Sequence, residues 1–140
     1  MQPGLVTAYL STDYVVFSGG RDCSIRIGRR SLIIDRLLLS RKTESAAFIT
    51  AWNPFSRDRY STSNAYWDRQ LNCYLNDSGF SFLPGEGRAQ LGDWPSEISV
   101  LAFGMSRARA ASAGRRFRQN AIVYIQVGRP AEFVLLRWLG

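Results

Sequence analysis

Residues 46–53, Ala-Ala-Phe-Ile-Thr-Ala-Trp-Asn, stay apolar without alternating and then stop on Trp52, Asn53 and Pro54. Such a run is expected of a central strand covered on at least one face, and it commits the chain to a sheet overlaid by helices. Pro54 ends the strand, because proline has no ladder donor. The stop also puts an aromatic face and a hydrogen-bonding amide at a strand mouth, where α/β proteins often bind ligands.

The rest of the chain supplies elements to pack on that strand. Residues 14–18 and 24–28 are β-forming clusters around Gly19-Gly20-Arg21-Asp22, a hairpin signal. Ser31 can cap a helix over 32–39, in which Ile34, Leu37, Leu38 and Arg41 recur at helical spacing, and its apolar width implies heavy burial. A second helix is predicted over 63–78, closed by Gly79. There Asn64 shares a face with Asp68, Leu71 and Leu75, which turns its amide toward the sheet. A fourth strand over 80–83 precedes a long loop, 84–97, and then a fifth strand, 98–104. Ser106 caps a third helix to about residue 118, with Ala110, Ala113, Gly114 and Phe117 inward and Arg107, Arg109, Arg115, Arg116 and Arg118 around the rest. Strands 121–127 and 133–138 close the chain as a hairpin around Gly128-Arg129-Pro130.

With 140 residues, 46% of them hydrophobic, the chain is long enough for one well-filled core, so a single domain over 1–140 is expected. From Ala46 the order strand, helix, strand, strand, helix, strand predicts an α+β fold with a ferredoxin-like βαββαβ core. A β-hairpin and helix precede that core and an extra C-terminal strand follows it. This topology would gather four polar stretches at one sheet edge. They are Trp52 with Asn53, Asn64, the loop bearing Glu86, Asp93, Trp94 and Glu97, and the turn Arg116-Phe117-Arg118-Gln119-Asn120.

What chemistry that edge can support is narrowed by what the chain lacks. It contains no histidine, which removes Ser-His-Asp and Cys-His nucleophile systems and the imidazole proton shuttle. Cys23 and Cys73 have no metal-ligand spacing, so no metal site is expected and both are read as reduced thiols. No apolar run approaches the ~20 residues of a membrane helix and the first residues lack a signal-peptide pattern, so the expectation is a cytoplasmic protein without a membrane partner. The formal charge of +7, with Lys42 the sole lysine, favours anionic partners.

Three readings follow. The leading one is a binding module for a small anionic or nucleotide-like ligand, or a nucleic-acid end. In it Trp52 or Trp94 stacks, Asn53, Asn64, Gln119 and Asn120 hydrogen-bond, and Arg116 and Arg118 neutralise charge, with Glu86 also among the binding residues. No cofactor is expected for it. The second is a Mg²⁺- or Mn²⁺-dependent hydrolase or nuclease with Glu86, Asp93 and Glu97 as its carboxylates. The same three can instead pair with Arg88, Arg116 or Arg118 and stiffen the loop. The third is a protein–protein interaction module using the arginine face or the edge strand 133–138.

Several motifs together resemble a bacterial domain-of-unknown-function family, number 3293. They are Tyr9-x-x-Thr12-x-Tyr14, Ile25-x-Ile27-Gly28, Thr50-Ala51-Trp52-Asn53-Pro54, Asn64, Leu83-Pro84-Gly85-Glu86-Gly87, Trp94-Pro95-x-Glu97-x-Ser99 and Arg115-Arg116-Phe117-x-Gln119-Asn120-Ala121-Ile122-Val123. The resemblance spans nearly the whole chain and implies a small bacterial protein, with no activity or cofactor attached. Where it leads one to expect glycine between Phe117 and Gln119, this chain has Arg118.

Overall fold

A computed structural model describes residues 3–53, 61–90 and 95–137. In chain order the elements are α1 (Pro3–Leu10), β1 (Asp13–Ser18), β2 (Arg21–Ile25), α2 (Leu32–Ser40), β3 (Ser45–Ile49), α3 (Ser61–Asp77), β4 (Phe82–Arg88), β5 (Glu97–Phe103), α4 (Arg107–Arg116), β6 (Ala121–Gln126) and β7 (Glu132–Leu135). All seven strands form one antiparallel sheet in the order β2-β1-β4-β5-β3-β6-β7.

Strand β3 lies inside this sheet, and its unbroken apolar run is explained by burial on both faces. Ala47, Ile49 and Ala51 join a core under α3 and α4, with Leu71, Leu75, Ala110, Ala113 and Phe117. Ala46 and Phe48 point the other way, into a second core with Ile34 and Leu38 of α2 and Tyr14 and Val16 of β1. The strand pleat alternates the two sets. Helix α1 lies on this second face, where the Tyr14 hydroxyl donates to the Tyr9 carbonyl at 2.7 Å and the Tyr9 ring sits 5.5 Å from Phe133 of β7.

A ferredoxin-like four-stranded core with an appended hairpin does not describe this molecule. The N-terminal hairpin belongs to the same sheet, since β1 pairs along β4 from Asp13↔Arg88 to Val16↔Gly85. The sheet also curls into a half-barrel whose two ends meet: Ile27, just beyond β2, bridges Ala131, just before β7. Helices cover both faces. The physical cause lies in 84–88, which the sequence reading takes as loop. A Cβ on Gly85 would stand 2.4 Å from the Val15 carbonyl oxygen and 3.1 Å from Cε2 of Phe48. Glycine there lets β1 close onto β4 and turns a Gly-rich stretch into a shared strand. Pro84 lies just outside the β1 pairing, so its missing N–H leaves no β1 ladder bond unmade.

Other boundaries move too. The hairpin turn has only two residues, Gly19 (φ 56°) and Gly20 (φ 80°), the geometry that suits a twisted antiparallel pair. Strand β3 ends at Ile49, four residues short of the predicted stop. Helix α2 buries Ile34 and Leu38 but leaves Leu32, Ile33 and Leu39 exposed, so its apolar width exceeds its burial. Helix α1 is absent from the sequence reading altogether. Trp138, the end of the predicted last strand, lies outside the described residues.

Candidate functional site

The segment leaving β3 is tied down by its own side chains. The Thr50 hydroxyl donates to the Ile98 carbonyl at 2.7 Å and accepts from the Trp52 N–H at 2.9 Å. Asn53 then adopts φ 45°, a left-handed geometry that Asn tolerates better than most residues. There its backbone N–H donates to Asn64 Oδ1 at 2.9 Å, while Asn64 Nδ2 donates to Asn53 Oδ1 at 2.8 Å. The remaining Asn53 donor, Nδ2, reaches Glu97 Oε1 at 3.2 Å. Gln119 Nε2 completes the set with bonds to the Trp52 carbonyl at 3.3 Å and the Phe117 carbonyl at 3.2 Å.

Asn64, Gln119 and Asn120 are all buried. Trp52, Asn53, Asn64, Glu97 and Gln119 therefore do come together, as neighbours of one another, and much of their hydrogen-bonding capacity is internal. Asn120 is held through its backbone, accepting from Leu136 N–H at 2.8 Å. Arg116 lies over the Tyr74 ring, 4.9 Å from its centroid. Arg118 is exposed, with φ 56°. Asp93 and Trp94 fall within 91–94, outside the described residues.

The carboxylates part company. In β5, Leu101 and Phe103 face the α2 side, and alternation puts Glu97 on that side too. In β4, Leu83 faces the same side, so Glu86 points to the opposite face. There Glu86 is bonded to Arg88, whose guanidinium also approaches Asp22 at 3.6 Å and the Phe17 ring. Among the described residues no group of three acidic or cysteine side chains is placed to hold a metal ion.

What Glu97 does face is a partly open cavity of about 80 Å³, lined also by Leu5, Ala8, Tyr9, Thr12, Tyr14 and Gly87. Three strands make its floor. Gly87 pairs with Tyr14 of β1 on one side and Glu97 of β5 on the other, so the three residues stand abreast. A Cβ on Gly87 would meet only Thr12 Cγ2, at 3.6 Å, among the described residues. The void therefore exists because residue 87 has no side chain, whereas at Gly85 the corresponding space is closed by Phe48 and β1. The wall is α1, whose Leu5, Ala8, Tyr9 and the following Thr12 recur at i, i+3, i+4 and i+7. That spacing was the available signal for both the helix and the site.

The cavity's hydroxyls are committed. Thr12 Oγ1 donates to the Ala8 carbonyl at 2.5 Å and the Tyr14 hydroxyl to the Tyr9 carbonyl, so both cap the C-terminal carbonyls of α1. Burial raises the Tyr14 phenol well above its ordinary range, and the charges of Tyr9 and Glu97 push it the same way. Tyr14 therefore stays protonated and keeps its bond to α1.

No described helix is long and apolar enough to cross a membrane. No curated protein and no solved structure matches the chain. The motif Tyr9-x-x-Thr12-x-Tyr14 lies outside the span that a known family covers, although all three of its named residues line the cavity. That span, residues 49–122, matches the family described as "Protein of unknown function (DUF3293)"; it exceeds half of the chain and takes in Asn53, Asn64, Gly87 and Glu97, and the chain belongs to this family.

Proposed function

We propose that the protein is a small-molecule binding module whose site is the cavity between α1 and the floor made by Tyr14, Gly87 and Glu97. One observation carries this reading: the side-chain-free position in β4 stands between an aromatic residue and a carboxylate that a relay of amides holds in place. Apolar walls with a few oriented polar groups are the usual composition of a ligand pocket. The Asn53–Asn64 pair then acts as a positioning device for Glu97, and Gln119 anchors the Trp52 carbonyl behind it.

Substituting Gly87 tests the reading without touching any polar group. Its φ lies outside the left-handed region, so a side chain there is not strained. Gly87→Leu fills the cavity and keeps the fold, with a melting temperature equal to or above that of the wild type. Ligand-observed NMR against a library of small metabolites is expected to yield hits for the wild type that this variant loses. Hits that survive Gly87→Leu unchanged place the site elsewhere.

A second reading, an anionic or nucleotide-like ligand or a nucleic-acid end at the C-terminal end of α4, is favoured by Arg115, Arg116 and Arg118, all exposed within four residues. Oligonucleotide anisotropy at low salt, lost in Arg116→Ala/Arg118→Ala, supports it, and no binding at low salt removes it.

A further inference from the structure

We infer that the cavity over Gly87 takes a small organic cation, an alkylammonium with its charge on Glu97 and its carbon body against Leu5, Ala8, Tyr9 and Tyr14; this rests on the reading of that cavity as the binding site. The inference comes from Glu97 and from the direction of the Thr12 and Tyr14 hydroxyls in its described lining. The Thr12 and Tyr14 hydroxyl protons go to carbonyls of α1 at 2.5 and 2.7 Å, leaving only oxygen lone pairs for a guest. The Tyr14, Gly87 and Glu97 backbones are in the sheet ladder. The end of α1 beside the cavity is its carbonyl end, which carries partial negative charge. Glu97 adds a carboxylate, and none of the described lining residues is cationic.

A guest that is itself anionic, such as a carboxylate or phosphate, thus meets the Glu97 carboxylate. An ammonium group meets a carboxylate, hydroxyl oxygens and the rings of Tyr9 and Tyr14, whose faces attract cations within about 6 Å. The chain's formal charge of +7 argues the other way, toward anions. Distance decides between them. Surface charges are screened over about 8–10 Å at physiological salt, whereas a partly buried carboxylate at contact is screened much less. Size is consistent with that class: a cavity of about 80 Å³ accommodates an amine of a few carbons.

The test is titration calorimetry and thermal shift with butylamine, butanol and butyrate at matched ionic strength. Butylamine is expected to bind at least tenfold more tightly than butanol, and butyrate not to bind. Glu97→Gln is expected to lower butylamine affinity tenfold or more and leave butanol unchanged, and Gly87→Leu to abolish both. Should Glu97→Gln fail to fold by circular dichroism, the wild-type amine-to-alcohol ratio decides alone. Equal affinity for butylamine and butanol, or preference for butyrate, overturns the cationic class while leaving the cavity as the site. No binding of any of the three to the wild type overturns the cavity reading itself.

Discussion

Asp68 lies on the sheet-facing side of α3, one turn after Asn64, and its Oδ1 is shielded from solvent with no hydrogen-bond partner. Burial therefore raises its pKa above the ordinary 3.8, against a smaller lowering by Arg69. A carboxyl group whose folded pKa is raised holds its proton longer in the native state than in the unfolded chain. Its contribution to stability is intact below about pH 3.8 and is lost as pH rises from there through the raised folded value. Asp68→Asn is expected to raise the melting temperature at pH 7, through a stabilisation of no more than about 1 kcal/mol because the group is partly exposed. The advantage should fade below about pH 4 in scanning fluorimetry; a variant less stable than wild type at pH 7 means that the charge has a favourable partner. The same face of α3 also shows what single residues disclose in a sequence. Asn64 was readable as inward because 64, 71 and 75 obey helical spacing whatever the rest of the fold does. Glu86 and Glu97 were not separable, because their opposite orientation depends on β4 running to Arg88, and a segment read as loop has no faces to alternate between.

At the scale of elements, α2, α3 and α4 end in one motif. The residue after each helix cap is left-handed, at Lys42 (φ 57°), Gly79 (φ 81°) and Arg118 (φ 56°). The next N–H reaches back five residues in each case: Thr43 to Leu38 at 3.1 Å, Phe80 to Leu75 at 2.9 Å and Gln119 to Gly114 at 3.0 Å. Glycine suits that position, and a side chain there is strained by roughly 1–2 kcal/mol. Part of the strain is offset because glycine loses more entropy on folding. Arg118→Gly is thus expected to stabilise the protein by about 0.5–1 kcal/mol, a rise of roughly 2–4 °C in melting temperature, with α4 and Gln119 unmoved. A fall in stability would show that the Arg118 side chain makes contacts that outweigh its backbone strain. Gly79 was legible as a helix end because glycine advertises the left-handed position, whereas Lys42 and Arg118 hide the same geometry under residues that do not. Strand β4 was illegible for the converse reason. Pro84, Gly85 and Gly87 are poor strand formers by composition, and they become a strand only because β1 needs the space that glycine leaves. Helix α1 was missed because Pro3–Leu10 is apolar on most sides, so the i, i+3, i+4, i+7 set stands out little from its neighbours.

The whole molecule depends on joining two sheet ends that are distant in the chain, and Asp35 is placed at that joint. Its Oδ2 accepts from Arg30 Nε at 2.9 Å, on the segment leaving β2, while its Oδ1 accepts from Gly128 N–H at 3.1 Å, in the turn between β6 and β7. Nearby backbone bonds lie on the same seam: Gly28 N–H to the Ala131 carbonyl at 2.8 Å and Ala131 N–H to the Arg29 carbonyl at 3.1 Å. One buried carboxylate on α2 thus clamps both ends of a seven-stranded sheet. Removing it leaves the Gly128 N–H without its acceptor, a loss of about 1–3 kcal/mol, while Arg30, half exposed, can turn to water. Asp35→Ala should therefore lower unfolding free energy in urea by about 2 kcal/mol. Hydrogen exchange distinguishes a joint from an ordinary core contact. If the clamp closes the sheet, amides at Gly28, Gly128 and Ala131 speed up together, while those of Phe48 and Leu101 in the central strands follow only the global loss of stability. If every amide accelerates by the same factor, Asp35 supports the core as a whole and the half-barrel is closed by the strands alone.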